Sequence, residues 1–176
     1  MFKEVHSYSK ADQLKGHQKS KDKPKFKEKR PKKKKKKLET FKGRTIPPKK
    51  VRGKVTTADY KKAQEEHGES CFFCGSPFVE CHHVVPKGFS RHKNGRGVWR
   101  NLCFLCTEHH RGDAGVHQDK EKMELLQELH EMKYGPNFYK DRFDLFKEGL
   151  TPNTDKDTFE SFMEREREQC LIENHG

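Results

Sequence analysis

The sequence predicts a small α+β domain: two short strands and then a helix, stapled by a metal ion, with a basic tail before it and helices after it. Three observations lead there. Cys71-x-x-Cys74-Gly75 and Cys106-Thr-Glu-His109 have the spacing of paired metal-binding knuckles. Six of the eleven histidines fall between residues 82 and 117, at the junctions of the predicted elements, which packing alone does not account for. Charge also divides the chain. Residues 1–55 carry 22 Lys/Arg against 5 Asp/Glu, and residues 56–176 carry 17 against 22.

With 176 residues, 30% hydrophobic and 38% charged, the chain has room for one modest domain plus tails, and its core needs help from metal or a partner. Residues 1–55 read as a disordered basic tail and extended linker. Lysine repulsion leaves little to bury between Lys19 and Lys37, and Pro47-Pro48 is expected to exclude helix. Residues 56–135 are the expected domain. "TTADYKKAQEEHG" offers a Thr or Asp N-cap, a helix-forming run and Gly68 as a stop. "VECHHVVP" is a strand closed by Pro86, "KGFSRHKNGRG" a basic loop, and "VWRNLCFLC" a second strand. A helix is expected from about Asp119 to Lys133, with Met123, Leu125, Leu126, Leu129 and Met132 as its core face. Residues 136–176 form a helical extension, with amphipathic helices around 137–148 and 155–172.

The N-terminus has no apolar signal-type region and no stretch approaches a membrane span, so a reducing compartment is expected. That means the cytoplasm, or the nucleus in a eukaryotic host, where "PKKKKKKL" could serve as an import signal. There the six cysteines read as metal thiolates or free thiols. Two thiolates of a Cys-x-x-Cys turn reach one tetrahedral ion. For the other half of the site, Cys103-Phe-Leu-Cys106 competes with Cys106-Thr-Glu-His109. The second is preferred, because strand geometry sends the cysteines of "CFLC" to opposite faces. The expected structural zinc ligands are therefore Cys71, Cys74, Cys106 and His109. A purely structural finger, with His82 or His83 in place of His109, is the alternative. Cys81, Cys103 and Cys170 are left as free thiols.

The remaining elements, "CFFC", "ECHHVVP" and "NLCFLCTEHH", together resemble the HNH endonuclease family, in its zinc-stapled branch common in bacterial and phage enzymes. The resemblance covers about Cys71 to His117. It implies a ββα-metal core: a hairpin and a helix around one divalent cation, Mg²⁺ or a transition metal. It implies that His82 and His110 ligate this cation and that His83 is the general base. Asn101 would fix the hairpin loop and help orient His83. Many members carry a histidine four residues after the one matching His110, but here that position is Ala114. His117 is the next histidine, with a metal contact, a phosphate contact or a helix cap all open to it.

The expected activity is metal-dependent hydrolysis of DNA phosphodiester bonds. DNA is the favoured partner over RNA, since no aromatic base-stacking platform is evident. The basic tail would raise local substrate concentration through counterion release, and Arg91, Lys93, Arg96 and Arg100 are candidate phosphate contacts. No membrane partner is expected, and the C-terminal helices are available to a protein partner. The alternative is a non-catalytic zinc-containing nucleic-acid adaptor of the same fold.

Overall fold

In the computed structural model, residues 38–88 and 94–175 are described, so the expected disorder of the lysine-rich tail lies outside them. The region expected to be a plain linker is structured from residue 39 onward. Strands β1 (Glu39–Phe41) and β2 (Arg44–Ile46) form an antiparallel hairpin, and a short helix α1 (Lys49–Arg52) follows. Ile46 is fully buried, and Phe41 meets Phe146 edge to face at 5.7 Å, so two apolar residues anchor the hairpin. Pro48 does not exclude α1, because it stands at the N-cap with φ −57°. A fixed φ is harmless there, and the missing N–H would have no helical partner.

Helix α2 (Thr57–His67) starts where expected, with the Thr56 side chain accepting from the Asp59 amide at 3.1 Å. Strands β3 (Glu80–His83) and β4 (Leu102–Leu105) pair antiparallel, with Glu80 opposite Leu105 and His82 opposite Cys103. The second strand starts later than the expected Val98. Trp99–Asn101 is a 3₁₀ turn, closed by Asn101 N–H to Val98 O at 3.0 Å. Asp59 accepts from the Trp99 amide, so a side chain takes a donor that a ladder would otherwise use. Every residue of β4 is buried.

Three elements follow β4 directly: α3 (Thr107–Arg111), a glycine-rich turn, and α4 (Lys120–Tyr134), capped by Asp119. The core face of α4 differs from expectation. Leu126, His130 and Tyr134 are buried and Met123 packs on the core, while Leu125 and Met132 are 47% and 52% exposed and Leu129 is also exposed. The three buried residues lie four apart, the spacing of one helical face. The aromatic packing of His130 and Tyr134 outweighs the hydropathy of the leucines in setting which face turns inward. Helices α5 (Arg142–Glu148) and α6 (Lys156–His175) complete the chain. The first begins later than the expected residue 137, because the Asp141 carboxylate accepts from the amides of Phe143 and Asp144 and so starts the helix there. Helix α6 runs along α4, and Arg100 reaches Glu160 on α6 at 2.8 Å.

The architecture is thus α+β, with two small antiparallel sheets; the β3–β4 hairpin packs with α2 and α4 in one core, and α5 and α6 bury Leu145, Phe159 and Met163 in a second, smaller one. A buried ion-pair group fastens the N-terminal segment to the C-terminal one. Arg52 contacts Asp141 at 2.6 Å and Asp144 at 2.9 Å, and Arg96 contacts Asp144 at 2.9 Å. Among the described residues no helix is long and apolar enough to cross a membrane.

Candidate metal centres

Cys71, Cys74, Cys106 and His109 converge, with their donor atoms all within 4.8 Å of one another. Cys71 and Cys74 lie on a tight turn closed by Gly75 N–H to Cys71 O at 2.8 Å, and Gly75 has φ +71°, a region open to glycine without a Cβ penalty. The Phe72 amide donates to Phe104 O, tying this turn to β4. Cys106 is the N-cap of α3 and His109 lies within that helix. Sulfurs bound tetrahedrally at about 2.3 Å from zinc lie about 3.8 Å apart. The Cys74–Cys106 sulfurs are 3.8 Å apart, and His109 Nδ1 is 3.6 Å from Cys71 Sγ and 3.2 Å from Cys106 Sγ. The donor set fits a structural metal ion such as zinc. Burial pushes the Cys71 thiol up, but hydrogen bonds from the backbone of Cys106, Cys74 and Phe73 outweigh it and hold the group down at about 6, toward the thiolate a metal requires. Cys103, the competing candidate, is not among the four; burial raises its thiol.

A second group forms around the hairpin end. His82, His110 and His117 also hold their donor atoms within 4.8 Å of one another, with ring centroids 4.9–5.0 Å apart. His82 comes from β3 and His110 from α3. His117 comes from the turn that follows, folded back by Val116 N–H to His109 O at 2.9 Å and Gly115 N–H to Gly112 O at 2.8 Å. That turn brings His117 to the other two rings. His82 is buried, and its Nε2 has no hydrogen-bond partner. An orphaned imidazole nitrogen facing two others is what a metal ligand looks like without its ion. Burial, and then the neighbouring His110 and His117, hold the His82 imidazole neutral, down at about 3.

His83 lines the same open cleft of about 450 Å³, together with His82, His110, His117, Pro86 and Lys87. Adjacent strand residues normally face opposite ways, but β3 ends at His83 and the chain bends at Val84–Val85. His83 Nε2 is also buried and without a partner. Burial and then Lys87 lower its imidazole to about 4, opposed by a hydrogen bond with the Gly53 backbone. This neutral ring has a nitrogen available to accept a proton.

Asn101 is fully buried. Its Oδ1 accepts from Val85 N–H at 2.8 Å, and its Nδ2 donates to Val85 O at 3.1 Å and Arg96 O at 2.9 Å. It therefore fixes the chain beyond His83 and the far end of the loop through main-chain contacts. The fit is close: a Cβ on Gly95 would fall on the Val85 carbonyl. Of the proposed phosphate contacts, Arg96 and Arg100 are only 4% and 2% exposed and are engaged with Asp144 and Glu160. Desolvated arginines need such carboxylates, so these two are structural. Arg91 and Lys93 lie outside the described residues.

Two contributors escaped the sequence reading. Glu80 Oε2 accepts from His110 Nδ1 at 2.6 Å and pairs with Arg111 at 2.9 Å. Its position was legible: two residues before His82, it is on the same strand face. Gly53, from the presumed linker, carried no sequence signal. Comparison with known protein families, curated proteins and solved structures finds no match to this chain.

Proposed function

We propose that this chain is a metal-dependent HNH-type endonuclease that hydrolyses DNA phosphodiester bonds. The observation that carries the reading is the three-imidazole group His82–His110–His117 with the unpartnered His83 beside it in one open cleft. The Cys₃His group behind it would serve as a structural zinc staple for a hairpin too short to be stable alone.

A cation held by His82, His110 and His117 would supply Lewis-acid stabilisation of phosphate and leaving-group charge. Three imidazoles favour a borderline transition ion such as Ni²⁺ or Zn²⁺ over Mg²⁺, which prefers oxygen ligands; Mn²⁺ is the weaker-binding probe. His83 accepts the proton of the attacking water at its free Nε2. Burial keeps that ring neutral at neutral pH, with its accepting nitrogen unprotonated, while lowering its basicity. Asn101 holds the chain on which His83 sits, and Lys87 at the cleft rim offers a charge to phosphate.

Supercoiled plasmid cleavage with Mn²⁺, comparing wild type with His83→Ala at equal zinc content, tests the proposal. Nicking or linearisation by the wild type, reduced at least about 100-fold in the variant, is expected. Equal activity of the two would overturn the role of His83. Salt-sensitive DNA binding without cleavage by either would instead favour the non-catalytic adaptor.

A further inference from the structure

We infer that Glu80 is a positioning residue for the histidine group, selecting the tautomer of His110 that presents Nε2 to a cation. The inference rests on the metal-binding reading of His82, His110 and His117. Glu80 opens β3 and places its carboxylate beside α3, where Oε2 lies 2.6 Å from His110 Nδ1. An ionised carboxylate only accepts, so this contact fixes the proton on Nδ1 and leaves Nε2 bare. The His82 and His117 rings lie 5.0 and 4.9 Å from the His110 ring between centroids, with donor atoms of all three within 4.8 Å of one another.

The same oxygen takes Arg111 Nη2 at 2.9 Å. Glu80 is thus held between two residues of one short helix, and its orientation does not depend on a bound ion. His110 is buried, so without Glu80 its Nδ1 proton would lack this acceptor and the alternative tautomer would gain population. His82 has no comparable side-chain anchor among the described contacts, which concentrates the orienting role on Glu80. Carboxylates behind metal-bound histidines commonly change metal affinity by about 10–100-fold.

The test titrates Mn²⁺ into the zinc-loaded full chain, for wild type, His110→Ala, Glu80→Ala and Glu80→Gln. Nitrogen-resolved NMR of the imidazoles reads the His110 tautomer in each metal-free histidine site. Wild type should bind one Mn²⁺ that His110→Ala loses. Glu80→Ala should bind about 10–100-fold more weakly and show a mixed tautomer. Glu80→Gln keeps an acceptor oxygen and should recover most of the affinity with the Nδ1–H form. Glu80→Ala that binds like the wild type, with an unchanged tautomer, would overturn the inference while leaving the metal site standing. Mn²⁺ binding that survives in His110→Ala would overturn the metal-site reading and the inference together. If Glu80→Ala loses its zinc or its circular dichroism, Glu80→Gln carries the test: a Gln variant that binds more weakly with its tautomer ratio unchanged would overturn the positioning role.

Discussion

His109 and His110 are neighbours in one short helix, yet they belong to two centres of opposite character. His109 joins three cysteines in a closed set in which every ligand is a thiol or an imidazole and donor atoms approach to 3.2–3.8 Å. His110 joins two imidazoles lining an open cleft, with the Glu80 carboxylate against it, and the neighbouring His82 and His83 each keep a buried, unpartnered Nε2. A closed thiolate set suits a permanent structural ion, whereas an open imidazole set leaves coordination positions for water and substrate. A single helical turn therefore contributes one histidine to each of two groups that could hold a metal ion. The adjacent pair His82-His83 divides labour similarly, one ring within the ligand group and one beside it.

Removing a thiolate should break the comparison most severely. Cys106→Ser is expected to lose both zinc and cooperative unfolding, since metal binding is folding free energy in so small a core. Zinc content together with thermal circular dichroism checks this. A folded, zinc-loaded Cys106→Ser would mean the staple is dispensable.

Next comes the buried ion-pair group. Asp144→Ala leaves Arg52 and Arg96 short of a carboxylate at side chains 4% and 5% exposed. A loss of about 3 kcal/mol is expected from urea midpoints, against less than about 1 kcal/mol for an exposed pair such as Lys120–Glu124.

A smaller effect concerns histidines that belong to neither centre. His67 and His130 stack at 5.1 Å in the core, and burial is the main cause lowering each to about 4 from an ordinary 6.5. The unfolded chain therefore binds more protons below 6.5, so stability is fully present above that pH and is lost as pH falls through about 4. Each should cost about 1–2 kcal/mol by pH 5. Denaturant midpoints from pH 7.5 to 5 should fall less steeply in His130→Gln than in wild type; parallel slopes would remove these residues as the cause. The smallest change in stability is expected for His110→Ala, which should keep zinc and melt within about 1 kcal/mol of wild type while losing the second cation.

The Cys₃His set was legible in the sequence because it is local: two knuckles, each spanning four residues, whose turn chemistry follows from Gly75 and from the polar Thr107-Glu108. The contribution of His117 depended on how the loop after Arg111 folds back, which no periodicity records, and the hydrogen bonds of Gly115 and Val116 decide it. The hairpin and α1 at 39–52 escaped notice because their stability comes from far away, from Asp141, Asp144 and Phe146. Arg96 and Arg100 illustrate the converse error. In a lysine-rich chain they read as solvent-facing cations, but pairing with Asp144 and Glu160 makes them part of the interior.

The central claim is that the chain carries two separable centres, one for folding and one for chemistry. The most direct test is stepwise chelation of the Mn²⁺- and zinc-loaded protein, with metal counting, circular dichroism and plasmid cleavage followed together. The account predicts that mild chelation removes the Mn²⁺ and the cleavage activity, keeps one zinc and the fold, and is reversed by added Mn²⁺. Loss of both metals and of structure in a single step, or cleavage that persists without Mn²⁺, would contradict it.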